Sequence, residues 1–155
     1  MVPKGLRRRD FLSCSLAVGS AALAIAIPVR SAASHSISKG ALEIVHPWTF
    51  EQSGAGGDAV IGMEIRNTGP SADRIIAAET FEAVSSEIVA ATTKSGQPVI
   101  EIPPRSRTDL HAGGPHILLR GMKTSLIADT YFTIALLFER ASIVRIDVNV
   151  EERRR

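Results

Sequence analysis

The sequence predicts an all-β protein folded as a single β-sandwich domain, and three observations carry that prediction. From residue 41 onward the chain is a series of short β-branched runs separated by turn clusters. No window keeps a helical period for more than about ten residues. The last run alternates strictly: Ile143, Arg145, Asp147 and Asn149 interleave with Val144, Ile146, Val148 and Val150, giving one wet face and one dry face.

Taken in order, the predicted strands are 41–46, 59–66, 73–79, 86–92, 98–102, 106–111, 116–120, 130–138 and 142–150. Nine short strands at this spacing imply a sandwich. In the second strand Ile61, Met63 and Ile65 share one face, which makes Met63 a core residue. Met122, after Gly121, is read as packing in the same way. Trp48, the single tryptophan, follows Pro47 and is read as a buried anchor. Gly54-Ala55-Gly56-Gly57, Asn67-Thr68-Gly69-Pro70, Lys94-Ser95-Gly96 and Ala112-Gly113-Gly114-Pro115 supply the turns. The last cluster reads as a hairpin loop, which would set His111 and His116 opposite each other with Cβ atoms about 5 Å apart.

Residues 1–33 read as a targeting segment. Arg7-Arg8-Arg9-Asp10-Phe11-Leu12 places a twin arginine ahead of an apolar run that ends at Pro28 and Arg30, and Ser31-Ala32-Ala33 offers a small-residue cleavage site. This is a twin-arginine signal with cleavage after Ala33, the alternative being an uncleaved inner-membrane anchor. The protein is therefore expected to be exported, through the translocation machinery, to the periplasm. Residues 34–40 would be a flexible lead-in, 41–150 the domain, and 151–155 a charged, frayed tail.

The isoelectric point near 9.0 misleads, because the first 33 residues hold five basic residues against one acidic. The remainder carries thirteen basic against fifteen acidic residues, with no basic stripe for phosphates, so nucleic acid is excluded as a partner. Cys14 is the only cysteine and precedes most of the apolar run. It is not placed as a lipid-attachment cysteine, and the mature chain has no thiol for a disulfide or a thiolate metal site. No Gly-x-Ser-x-Gly elbow, His-Glu-x-x-His or phosphate-cradling loop occurs. Asp109 lies two residues before His111 but adjoins no nucleophile, and no enzymatic activity is expected. His35 could join a new amino terminus in a weak Cu(II) or Ni(II) site, and His46 could reach a metal only if its strand lay beside the hairpin.

Several segments together resemble the periplasmic copper chaperones of the PCu(A)C family. They are Ile44-Val45-His46-Pro47-Trp48, Met63-Glu64-Ile65-Arg66-Asn67-Thr68-Gly69, Ala72-Asp73-Arg74-Ile75-Ile76, Ile102-Pro103-Pro104, Leu110-His111-Ala112-Gly113-Gly114-Pro115-His116 running on to Met122, and Leu137-Phe138-Glu139-Arg140-Ala141. The resemblance implies a cupredoxin-like Greek-key β-sandwich that binds Cu(I) and passes it, with a copper-handling or oxidase-assembly partner, toward the copper centre of a respiratory oxidase. The family's site is a His, a Met and then a His-x-Met pair, a thioether-rich set suited to Cu(I). His116 stands at the second His, whereas Leu118 replaces the Met that follows it, Val89 stands at the first His, and the other Met has no counterpart. The expected metal residues are thus His116, inherited, and His111, a substitute. Two imidazoles without a thioether favour Cu(II), Zn(II) or Ni(II). The alternative function is a metal-free binding module that docks a protein partner.

Overall fold

The computed structural model describes residues 36–90 and 96–153. They form ten strands: β1 (Ser36–Lys39), β2 (Leu42–Phe50), β3 (Ala59–Asn67), β4 (Asp73–Glu79), β5 (Ala83–Val89), β6 (Ile100–Ile102), β7 (Ser106–Leu110), β8 (His116–Met122), β9 (Tyr131–Phe138) and β10 (Ser142–Glu151). No helix occurs among the described residues. The strands run in one hydrogen-bonded path, β5-β8-β3-β2-β10-β9-β4-β6, with β1 added to β2 and β7 to β3. Only β2 and β10 pair in parallel. The path curls until its ends approach, and the Ser86 hydroxyl on β5 donates to the Ala78 carbonyl on β4. The result is the all-β, nearly closed sandwich that the sequence predicts.

Alternation builds the core. Val144, Ile146, Val148 and Val150 of β10 are buried, as are Ile61, Met63 and Ile65 of β3 and Ile134, Leu136 and Phe138 of β9. Burial in β2 changes phase midway, from Leu42 and Ile44 to Pro47 and Thr49. A bulge between Val45 and Trp48 causes this, with His46 at φ 51°. One extra residue turns the strand over, and Pro47, which has no N–H to offer a ladder, fits at the irregularity. The strand therefore continues to Phe50 instead of ending at His46.

Several other boundaries differ from the sequence reading, three of them with consequences for packing. Ser36–Lys39, expected within a flexible lead-in, pairs with Leu42–Val45, and Ile37 packs on the core. β5 begins at Ala83, which is buried opposite Met122. The final strand takes in Glu151, whose carbonyl accepts the Glu51 N–H at 2.8 Å. Beyond it the Arg153 guanidinium lies 5.5 Å from the Phe50 ring centroid, so this part of the tail is seated against the sheet.

Buried Asp73 closes the opposite end. Its carboxylate accepts the backbone N–H groups of Arg74 at 2.8 Å, Arg140 at 2.9 Å and Ala141 at 3.0 Å, satisfying donors that the β9–β10 turn leaves without ladder partners.

Candidate metal-binding loop

The outer edge of β3 is shared by two strands in succession. β7 takes Met63 through Asn67, with Leu110 opposite Met63. β8 then takes Ala59 through Ile61, with Ile117 opposite Ile61. β7 and β8 are therefore two halves of one strand, interrupted by residues 111–115, and do not pair with each other. This corrects the expected hairpin: His111 and His116 are not cross-strand partners. Ala112-Gly113-Gly114-Pro115 has hairpin composition, but the buried residues on either side, Leu110 and Ile117, both find their cover on β3. The loop closes on itself, with the His111 N–H donating to the Pro115 carbonyl and the Gly114 N–H to the His111 carbonyl, both at 3.1 Å.

This excursion holds both imidazoles. Nδ1 of His111 lies 3.0 Å from the Ala112 carbonyl, and Nδ1 of His116 lies 2.8 Å from the Gly114 carbonyl. A carbonyl oxygen only accepts, so in each ring Nδ1 carries the proton and Nε2 of the neutral ring is left as the acceptor. Metal-binding histidines are oriented in this manner. The His111 ring lies against Gly114, where a Cβ would sit 2.9 Å from its Cε1 and 3.0 Å from its Nε2.

His116 opens β8, half-buried, directly opposite Val89 of β5. Two residues on, half-buried Leu118 faces Glu87, and Arg120 faces Ser85. Arg120 pairs with Asp58 at 2.8 Å and with Glu87 at 3.0 Å. The Gly121 N–H bond, with Arg120 beside it, holds the Asp58 carboxyl below its usual range, while bonds to Glu87 and Asp58 raise the Arg120 guanidinium. Sequence gave no signal for this cluster, whose members are scattered over 62 positions. Beside the loop, Val89, Ala90, Val99, Ile100, Glu101, Gly114 and Pro115 line an open groove.

Other donors lie elsewhere. Met63 and Met122 are core residues, so neither presents sulfur at the surface. His46 is held by its Nε2 at 2.7 Å from Glu151 and does not join the loop. Asp109 accepts from Arg107 Nε at 3.0 Å. Among the described residues no group of three or more His, Cys, Asp or Glu side chains is placed to hold a metal. His35 and the targeting segment lie outside the described residues.

The profile of the family described as "Putative lipoprotein LpqE-like" matches residues 42–150, the whole sandwich apart from β1 and the end of β10. The chain belongs to this LpqE-like family. A relative, "Putative lipoprotein Lxx21020" of Leifsonia xyli subsp. xyli, is 27% identical over 118 residues, covering 72% of this chain and 70% of the relative. Among solved structures, "Apo PCuAC domain from PmoF1" superposes with a TM-score of 0.70 at 24% identity, covering 77% of this chain and 100% of that one. "Copper-bound PCuAC domain from PmoF2" gives 0.68 at 27% identity, covering 77% and 99%. A solution structure of CuI-DR1885 from Deinococcus radiodurans gives 0.57 at 18% identity, covering 79% and 85%. The LpqE-like chain thus shares its domain with the PCu(A)C group that its sequence resembles.

Proposed function

We propose that this LpqE-like chain is an exported, copper-chaperone-like protein whose cargo ion is held at the 111–116 loop by His116 and His111. The observation that carries the proposal is the paired anchoring of the two imidazoles. Each Nδ1 is tied to a carbonyl of the same short loop, which leaves two nitrogen donors oriented before any ion arrives. A copper-bound relative of the same fold supports copper as the cargo. The apolar partners Val89 and Leu118 around His116 match the reading that the thioether-rich set has been replaced. The twin-arginine segment supports export to the periplasm, where the cargo would be passed to a copper-requiring acceptor such as a respiratory oxidase.

The test is titration of residues 34–155 with Cu(I) against a competing chelator, and with Cu(II), for the parent chain, His111→Ala and His116→Ala. Submicromolar binding that is lost in either variant is the expected result. Binding no stronger than that of the double variant would leave the second reading, a metal-free module that docks a protein partner. What favours that reading is the lack of a third donor among the described residues.

A further inference from the structure

On the outer face of β4, β9 and β10, Glu79 of β4 and Arg145 of β10 both stand opposite Ala135 of β9. Residues directly opposite in antiparallel strands share one face. Ordinary strand spacing sets the Cα atoms of the two charged residues about 10 Å apart, with the small alanine midway. Elsewhere opposite charges meet within the chain: Arg66 with Glu43, Arg74 with Glu139, Arg107 with Glu64, and Arg120 with Asp58 and Glu87. Glu79 and Arg145 are both exposed, and neither forms a hydrogen bond or ion pair with any described residue.

The surroundings of this pair are apolar. The next row along the same face is Ala77, Leu137 and Ile143, with Ile143 53% exposed, and all three line a hollow of about 70 Å³ that Ala135 also borders. At the other end Phe81, 92% exposed, and Val84, 77% exposed, line one groove with Glu79, Ala135 and Arg145. The acid in the row beyond, Asp147, is engaged by the Thr133 hydroxyl at 2.7 Å. Exposed apolar side chains gathered on one face mark an interaction surface.

The charges indicate what covers it. A free acid and a free base on either side of a small residue make this face complementary to itself. A half turn about an axis lying in the contact plane along β9 brings Ala135 over the partner's Ala135, Glu79 over the partner's Arg145, and Arg145 over the partner's Glu79. In the next row the same rotation sets Ile143 over the partner's Ala77, bulk against hollow. Sheets packed face to face keep their strands within about 30° of each other, which such an axis allows. We propose that two copies of this chain associate through this face as a symmetric dimer. Apolar contact at Ala77, Leu137 and Ile143 supplies the attraction, and two Glu79–Arg145 ion pairs, one on each side of the axis, set the register. No residue of the 111–116 loop belongs to this face, so dimer and metal site can fail separately.

Sedimentation equilibrium of residues 34–155, from micromolar to millimolar chain, tests it. These residues contain every strand and the whole core, and the solved PmoF1 relative is the isolated domain. The parent should dimerise within this range. Glu79→Arg and Arg145→Glu should each weaken the dimer roughly tenfold or more, because by symmetry one substitution turns two attractions into two repulsions. An equimolar mixture of the two single variants should form a heterodimer of parental strength, since the basic pair of one then faces the acidic pair of the other. The double variant should self-associate like the parent. Both positions are exposed, and thermal melting confirms that each variant is folded. A parent that stays monomeric at millimolar concentration overturns the proposal and leaves the face to a different protein. So does a dimer that the single reversals leave unchanged, which would use another surface. A dimer weakened by both reversals and not regained on mixing overturns it as well, since the two charges would not then face each other across a two-fold axis.

Discussion

Replacing Gly114 with alanine tests the proposed metal role of the loop apart from its structural role. Gly114 lies outside the left-handed region, so its backbone accepts a side chain, but the new Cβ would stand 2.9 Å from His111 Cε1, 3.0 Å from Nε2 and 3.5 Å from Nδ1. All three atoms belong to one exposed ring, which can swing away. The movement gives up the 3.0 Å contact between Nδ1 and the Ala112 carbonyl, a loss of about 0.5–1.5 kcal/mol for a hydrogen bond and less where water replaces it. Reduced freedom of the unfolded chain returns about 0.4–1 kcal/mol. Stability should therefore change by less than about 1 kcal/mol, a shift of only a few degrees in melting temperature for a domain of this size. A cargo ion held by two imidazoles would lose the orientation of one, and disturbed support of this kind lowers affinity by about 10–100-fold. Competition titration with Cu(II), run beside a thermal melt of the same sample, measures both quantities. Parent-like affinity in a folded Gly114→Ala chain whose His111 resonances have moved would refute His111 as a donor.

Three further substitutions test the scaffold. Gly62→Ala places a Cβ 2.4 Å from Trp48 Cε2 and 2.6 Å from Cζ2; a loss of about 1–3 kcal/mol from overpacking is expected, read by chemical denaturation together with Trp48 fluorescence. Asp73→Ala strips acceptors from the Arg140 and Ala141 N–H groups and should cost about 2–4 kcal/mol at neutral pH, whereas a change within experimental error would show that water replaces the carboxylate. Because the folded-state carboxyl of Asp58 lies below its usual range, its stabilising contribution is complete above the unfolded carboxylate range and is lost as pH falls through the folded value. Asp58→Asn should accordingly flatten the acid limb of melting temperature against pH, and an acid limb equal to the parent's would contradict the assignment.

Most of the fold is legible in the sequence because alternation reports burial directly. Val144, Ile146, Val148 and Val150 point inward in the structure as their spacing predicts. What alternation cannot report is register across a bulge. Pro47 reads as the end of a strand, yet an extra residue in the left-handed conformation at His46 lets β2 continue with its phase inverted. β1 was missed for a different reason. It is four residues long, its burial depends on Ile37, and its pairing partner is known only from the three-dimensional path. The candidate site was half legible. Its two histidines come from the family resemblance, in the case of His116, and from a place across the Gly-Gly turn, in the case of His111, but their relation is misread, since a Gly-Gly-Pro loop between apolar runs fits a hairpin and an interrupted strand equally well. The choice between them is made by β3, whose apolar residues Ile61 and Met63 take Ile117 and Leu110 as partners.

That arrangement also explains how a donor set can change while the domain stays intact. In a hairpin, residues at the loop base pair with each other, so altering one disturbs the register of both strands. Here β7 and β8 are each registered against β3, and the loop between them is closed by its own hydrogen bonds from His111 to Pro115 and from Gly114 to His111. Val89 opposite His116 and Leu118 opposite Glu87 belong to the β5–β8 face, where side chains can be exchanged without moving Ile117 or Leu119 out of the core. Substitution at this edge is thus decoupled from the packing that keeps the sandwich folded. Shuffling His, Met, Leu or Val among positions 89, 111, 116 and 118 should alter which ion is held while leaving thermal stability nearly constant. A large coupling between metal selectivity and melting temperature across such a series would show instead that the loop helps to hold the two halves of the interrupted strand in register.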